Sequence, residues 1–254
     1  MPPASSRSCP APHARSVSDS LERIARDVVR CERCPRLRSW CEEVARVRRR
    51  AFRDETYWGR PVPAFGDPKA RVVLVGLAPA AHGANRTGRM FTGDDSGNWL
   101  YAALHDADLA SQPTSVSRED GLKLTGAFIT ATCRCAPPDN KPTPEERRSC
   151  SEYLDREFDQ LEGARVVVAL GKIGWDAVLD RARRVEPAAF PSPRPSFAHG
   201  AEARVVVRAG SKPVTLLASY HPSRQNTNTG VLTRPMLQAI MRRARELASP
   251  RRGR

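Results

Sequence analysis

The chain has 254 residues, 42 of them Lys or Arg against 28 Asp or Glu, for a formal net charge of +14 and a pI of about 10.2. That length builds one large domain or two small ones with a real core; a 40% hydrophobic share excludes a disordered chain, and a mean hydropathy of −0.52 argues against a membrane protein. The longest apolar run, Val72 to Ala81, is about half of what a bilayer span requires, and the Pro/Ser-rich stretch Met1 to Ser20 has no apolar signal core, so the cytosol is the expected compartment.

In chain order, residues 1–18 read as a disordered tail, 19–248 as one domain and 249–254 as a basic tail. Helical periodicity runs from Asp19 to Arg50, broken once at Cys34-Pro35. Val72-Val73-Leu74-Val75, flanked by Gly76 and Pro79, is too short and β-branched for a helix and reads as a buried parallel strand. Further strands are expected at Ala127–Ile129, Val166–Leu170 and Val214–Leu217, with helices at about Asn98–Ala107, Pro144–Leu161, Lys172–Arg183 and Pro235–Leu247. Thr143-Pro144-Glu145-Glu146 is a capping box with Pro at the first helical position. Val185 to His199, with four prolines, reads as a surface loop. The alternation gives an α/β fold: a three-layer α/β/α sandwich around a central four-stranded, mainly parallel sheet. Function is then expected just past the carboxyl ends of the strands, at Gly76 to Gly97, Thr132 to Asn140, Gly171-Lys172 and Ser219 to Gly230.

The charge by itself has two readings. Of the 42 cations 37 are Arg, a ratio that suits phosphate binding and a GC-rich genome equally. The seven cysteines, in a cytosolic chain, point away from a disulfide framework and towards metal or reactive thiols. Cys31-x2-Cys34 is a turn that can place two thiolates on one metal. Cys135 and Cys150 form a looser pair, about 100 residues away, so a shared metal would staple the N-terminal helices onto the sheet. Spacing alone leaves zinc, an iron–sulfur cluster and plain buried thiols all open, and Cys9, Cys41 and Cys133 have no assigned role.

The loop from Gly76 to Gly97 fits neither a Walker A nor a GxGxxG spacing. Its glycines, its single aromatic Phe91 and its acid Asp94 suit a pocket for a planar ligand, although Asp94 or Asp95 can equally serve as a helix cap. In Ser219 to Gly230, His221 stands at a strand end before small polar residues and Arg224, which suits an anion-stabilising donor beside a phosphate-contacting loop. His13, His105 and His199 have no such position.

These stretches, together with Cys31-Glu32-Arg33-Cys34-Pro35-Arg36-Leu37, Tyr57-Trp58-Gly59-Arg60-Pro61-Val62-Pro63 and Arg134 to Glu145, resemble the uracil-DNA glycosylase superfamily, most closely its family 5, the type b enzymes of bacteria and archaea. The likeness spans about residues 20 to 248, with the motifs in the family's order. It implies a monomeric, monofunctional glycosylase of base excision repair in the bacterial cytoplasm, which flips uracil, and other deaminated bases such as hypoxanthine, out of double-stranded DNA and excises it by hydrolysis. It implies a structural 4Fe-4S cluster on Cys31, Cys34, Cys135 and Cys150. By the same resemblance Asp94, Asn140 and His221 are catalytic: His221 stabilises the departing base anion, and Asp94 or Asn140 positions water. Gly76, Ala78, Ala80, His82 and Phe91 line the base site, and Arg224, Gln225 and Asn226 meet DNA. Arg86 and Arg89, flanking the pocket, are expected to meet phosphates.

Two features separate this sequence from the wider superfamily. Many relatives carry a polar, water-handling residue just after the first-strand glycine, where this chain has Leu77 and Ala78; the type b enzymes share the apolar pattern. Uracil-strict relatives place a Tyr where this chain has Ala80, so a wider pocket and purine substrates are implied. Two other function classes compete. A non-catalytic iron–sulfur or zinc nucleic-acid-binding protein of the same fold would have lost Asp94, Asn140 or His221, yet all three are present. A nucleotide hydrolase or transferase on an α/β sheet would not need the Arg224 loop or the large positive charge.

Overall fold

The computed structural model describes residues 19–249. The expected N-terminal tail, with Cys9, and all but Ser249 of the expected C-terminal tail lie outside the described residues. Helix α1 (Leu21–Val29) starts where the Ser20 hydroxyl accepts the Arg23 N–H at 3.2 Å, and α2 (Pro35–Val47) carries Pro in its first turn. The turn between them holds Cys31 and Cys34, at the break read from the sequence.

The four expected strands form the centre of the sheet: β2 (Val72–Gly76), β3 (Ala127–Ala131), β4 (Val166–Leu170) and β6 (Val214–Ser219) are mutually parallel and buried throughout. Among the described residues the sheet has six strands, not the expected four. β1 (Phe65–Gly66) pairs antiparallel with β3 at one edge and β5 (Glu202–Val205) antiparallel with β6 at the other, in the order β1-β3-β2-β4-β6-β5. β1 is only two residues long, and β5 alternates charged with apolar residues, a pattern that keeps an edge strand from recruiting further chains.

Strand periodicity sorts the core into two layers. Leu74, Ile129, Val168 and Leu217 pack under α4 (Asp95–His105) and α8 (Arg234–Ala248), whereas Val73, Val75, Val167 and Leu216 pack under α5 (Pro144–Gln160) and α6 (Lys172–Val185). This is the expected three-layer arrangement. The Thr143 capping box closes in both directions, as read. α4 begins three residues before the expected Asn98 because Asp94 caps it. Two loops expected to lack regular structure contain short helices, α3 (Ala84–Thr87) and α7 (Arg224–Asn228). Among the described residues, no helix is long and apolar enough to cross a membrane.

The chain leaves β2 for β3 on one side of the sheet and then crosses to β4 on the other. The connections after β2 and β4 therefore diverge to opposite faces and open a crevice at their carboxyl ends, where open α/β sheets bind ligands.

Candidate active site

Gly76 ends β2, and a Cβ there would come within 3.0 Å of Cε2 and Cζ of Phe91, so the aromatic ring lies across the strand end in space that only glycine leaves. Phe91 itself is held at φ +52, a left-handed conformation unfavourable for a bulky residue. Its surroundings over-determine that conformation. The Tyr101 hydroxyl donates to the carbonyl of Met90 at 2.9 Å, and the first turn of α4 comes so close that a Cβ on Gly97 would stand 1.9 Å from the Phe91 carbonyl oxygen.

Asp94 is the N-cap of α4: its Oδ1 accepts the Gly97 N–H at 2.8 Å. Its Oδ2 is turned to Gly83 in the loop after β2, so closely that a Cβ on Gly83 would sit 1.9 Å away. Capping and chemistry, which the sequence left as alternatives, are thus open to different oxygens of one carboxyl. Burial pushes this carboxyl above its ordinary range, and the N–H groups of Gly97 and Ser96 together with Arg86 partly offset that.

His221 follows β6 and lies against Gly171 at the end of β4, where a Cβ would touch the His221 Cβ at 3.5 Å. Its ring centroid is 5.8 Å from that of Phe91, tilted by 32°. Burial lowers its pKa to about 4, so at pH 7 it is a neutral imidazole with one N–H to donate. The Asn226 side chain donates to the His221 carbonyl at 2.9 Å. It braces the imidazole's backbone.

The structure therefore brings Gly76, Phe91, Asp94 and His221 together. Ala78 and Ala80 are half-buried in the same loop, and the Ala80 carbonyl accepts from Gly83 and Asn85 N–H groups at 3.2 and 3.0 Å. His82 meets the Tyr57 hydroxyl at 3.1 Å through Nδ1, which ties the loop to the Tyr57–Pro63 segment. Asn140 ends a 3-10 turn, exposed and at φ +57 directly after Asp139 at φ +52. Gln225 is likewise exposed, and neither amide makes a hydrogen bond among the described residues. Arg224 is exposed and paired with Asp95 through Nε at 2.6 Å. The sequence reading marked the segments holding Gly83, Gly97 and Gly171 but not these contacts, because nothing in a glycine's sequence position says which side chain it will touch.

One expectation is overturned. Arg86 is 8% exposed and donates to the carbonyls of His82 at 2.9 Å and Gly93 at 2.7 Å while pairing with Glu55. Arg89, 4% exposed, chelates Asp120 at 2.9 and 2.7 Å and bonds Thr92 and Ser115. Both guanidinium groups shape the Phe91 loop from within, and neither is placed to meet a phosphate. Arg60 and Arg118, by contrast, are exposed, form no ion pair among the described residues and lie over Trp58 at 5.9 and 4.8 Å.

A second cluster lies where α1, α2 and α5 meet. The Cys41 thiol donates to the Ala136 carbonyl at 3.5 Å and packs with Cys34 and Cys135, while Cys31 and Cys150 pack against Tyr153. The neighbouring Cys150 and burial push the Cys133 thiol up, whereas Cys133 and the Arg134 charge hold Cys150 down. Cys41 and Cys133 therefore share the corner with the expected ligands. Among the described residues, no group of three or more His, Cys, Asp or Glu side chains is arranged to hold a metal ion.

Residues 63–245 match the family model described as the uracil DNA glycosylase superfamily. The chain is 53% identical over 219 residues to the type-5 uracil-DNA glycosylase of Mycobacterium bovis, covering 86% of this chain and 78% of that one. It is 50% identical over 227 residues to the type-5 enzyme of Thermus thermophilus, covering 89% and 98%. To the type-5 enzyme of Pyrobaculum aerophilum it is 48% identical over 217 residues, covering 85% and 88%.

Proposed function

Because the chain belongs to the uracil-DNA glycosylase superfamily, we propose that it is a monofunctional, monomeric glycosylase that excises uracil, and hypoxanthine with it, from double-stranded DNA in base excision repair. The observation that carries this reading is the convergence of an aromatic face, a half-buried carboxyl and a neutral imidazole at the carboxyl ends of β2 and β6.

A base inside a duplex is out of reach, so it must leave the stack, at a cost of about a few kcal/mol that is least for a mispair. Phe91 stacks on the flipped base, and the loop backbone from Gly76 to His82 with the Asn140 amide reads its edge. As the glycosidic bond breaks, electrons collect on the base and positive charge on the sugar. Neutral His221 donates its N–H to the base anion, an oxyanion-type stabilisation that needs no imidazolium. Asp94 orients the attacking water, accepts its proton and offsets the sugar charge, and a carboxyl raised by burial suits that proton transfer. Ala80 leaves room for a purine. Arg224, Arg60 and Arg118 take the phosphates, the last two replacing Arg86 and Arg89.

The 4Fe-4S cluster belongs to this reading too, on Cys31, Cys34, Cys135 and Cys150. What supports it is the donor set alone, thiols drawn from the α1–α2 turn and from the β3–α5 segment, which among the described residues are not arranged as a metal-holding group. Bound there, the cluster supplies a covalent tie between the N-terminal helices and the sheet. The base site, formed by other elements, does its chemistry with protein groups alone.

The test uses labelled duplexes carrying U·G or hypoxanthine·T and a single-stranded uracil control, with alkali to reveal abasic sites. Asp94→Asn lowers single-turnover uracil release by about two or more orders of magnitude. Near-wild-type release would move the water to Asn140, and no release by the wild type would remove the enzymatic reading. The wild-type rate stays flat as pH falls through 6.5, because His221 is already neutral until about pH 4, and drops only as Asp94 protonates.

A further inference from the structure

A groove of about 620 Å³ opens beside the base site, with α3 as the shared wall. Arg86 and Thr87 line it, and the same two side chains donate to the carbonyls of Gly93 and Thr92 in the Phe91 loop at 2.7 and 3.2 Å. Trp58 is fixed in this groove. Its backbone N–H donates to the Arg86 carbonyl at 2.8 Å and its indole N–H to the Pro61 carbonyl at 3.1 Å, and Gly88 packs so close that a Cβ there would stand 2.8 Å from Cδ2 of the ring. The turn at 115–120 is held as firmly. Arg89 donates to the Ser115 hydroxyl at 2.8 Å and the Arg118 carbonyl at 3.3 Å, and the Asp120 carboxylate accepts the Val116 N–H at 2.8 Å. Exposed turns are ordinarily mobile; this one is bonded into the protein and still presents Val116, 64% exposed, to solvent.

The groove thus joins an aromatic ring and an exposed aliphatic side chain to Arg60 and Arg118, which lie over that ring at 5.9 and 4.8 Å. Of its two acids, Glu55 is paired with Arg86 and Glu119 is exposed. A duplex would engage the guanidinium groups alone, because its bases are stacked inside and leave Trp58 and Val116 nothing to touch. An unpaired strand offers base faces as well, which stack on aromatic rings and guanidinium planes while the phosphates meet arginine. The space is within the range of about 300–1,000 Å³ usual for sites that enclose a small ligand, enough for one nucleotide. We propose that this groove is a subsite for an unpaired nucleotide next to the flipped uracil in single-stranded DNA. Its phosphate meets Arg60 and Arg118, as on a duplex, and its base lies against Trp58 and Val116. The inference rests on the glycosylase reading above and extends its substrate to uracil in unpaired strands, with little preference for the neighbouring base, since every base has a face to stack.

The experiment uses the full-length protein and single strands in which 2′-fluoro-deoxyuridine replaces the uracil nucleotide, to slow its release, with 4-thiothymidine at each neighbouring position in turn. Ultraviolet crosslinking and peptide mapping should place a neighbouring thio-base on residues 57–60 or 115–119, and the crosslink should be lost when the strand is annealed to its complement. Single-turnover uracil release is then compared on single and paired strands. The ratio of single-strand to duplex rate should fall by about tenfold in Trp58→Leu and in Val116→Glu, and Trp58→Phe should restore it. Val116→Glu, at an exposed position, keeps the test decisive if Trp58→Leu does not fold. The subsite is overturned by the absence of that crosslink, by one equally strong from the duplex, by an unchanged ratio in Val116→Glu, or by a wild type that acts on the duplex alone. Wild-type protein that crosslinks as expected but releases uracil from neither substrate overturns the glycosylase reading instead.

Discussion

The base site and the thiol corner treat charge in opposite ways. At the base site every buried charge has its partners within the protein: Arg86 and Arg89 are saturated, and Asp94 caps α4. In the thiol corner a buried guanidinium keeps two donors unmet beside a set of thiols. The first is organised in advance of its substrate, so that little has to move when the base arrives. The second leaves two buried donors, Nε and Nη1 of Arg134, without an acceptor, which native structures rarely do. The two regions lie on different elements, the pocket at the strand ends and the thiols around the α1–α2 turn and the β3–α5 segment.

The strongest way to break this contrast is to disturb the pre-set geometry without touching a reacting group. Gly83→Ala places a Cβ where the Asp94 carboxylate lies, so single-turnover uracil release should fall by about 100-fold, with thermal unfolding showing a folded protein. Unchanged release would mean that the position of Asp94 is not critical. A smaller, selective effect is expected from Ala80→Tyr, which should suppress hypoxanthine release more than uracil release; equal losses would show that this residue does not gate the pocket. The smallest effect separates structural from DNA-facing arginines. Arg118→Ala or Arg60→Ala should each reduce the slope of log affinity against log salt by about one unit, whereas Arg86→Ala should lower the melting temperature and leave the slope intact.

The sequence carried much of the site because its chemistry is local. Phe91 and Asp94 sit in one loop, His221 directly after one β-branched run, and a strand followed by glycines marks a carboxyl end wherever it occurs. Charge was harder to read. An Arg near a pocket has the same sequence signature whether it faces phosphate or protein oxygens; Arg86 went to the His82 and Gly93 carbonyls and Arg89 to the Asp120 carboxylate and the Ser115 hydroxyl. The same ambiguity hid Asn226, whose amide supports His221.

Composition and periodicity by themselves determined the α/β layering, the four central strands and the capping box, since those follow from residue-by-residue preferences repeated along each element. Only the tertiary structure decided the two edge strands, which glycine would meet Asp94, and that burial leaves His221 neutral and Arg134 half-satisfied. Those properties belong to no residue alone. They arise when distant segments exclude water from a shared volume, where a missing partner or a nearby backbone changes what a side chain can do.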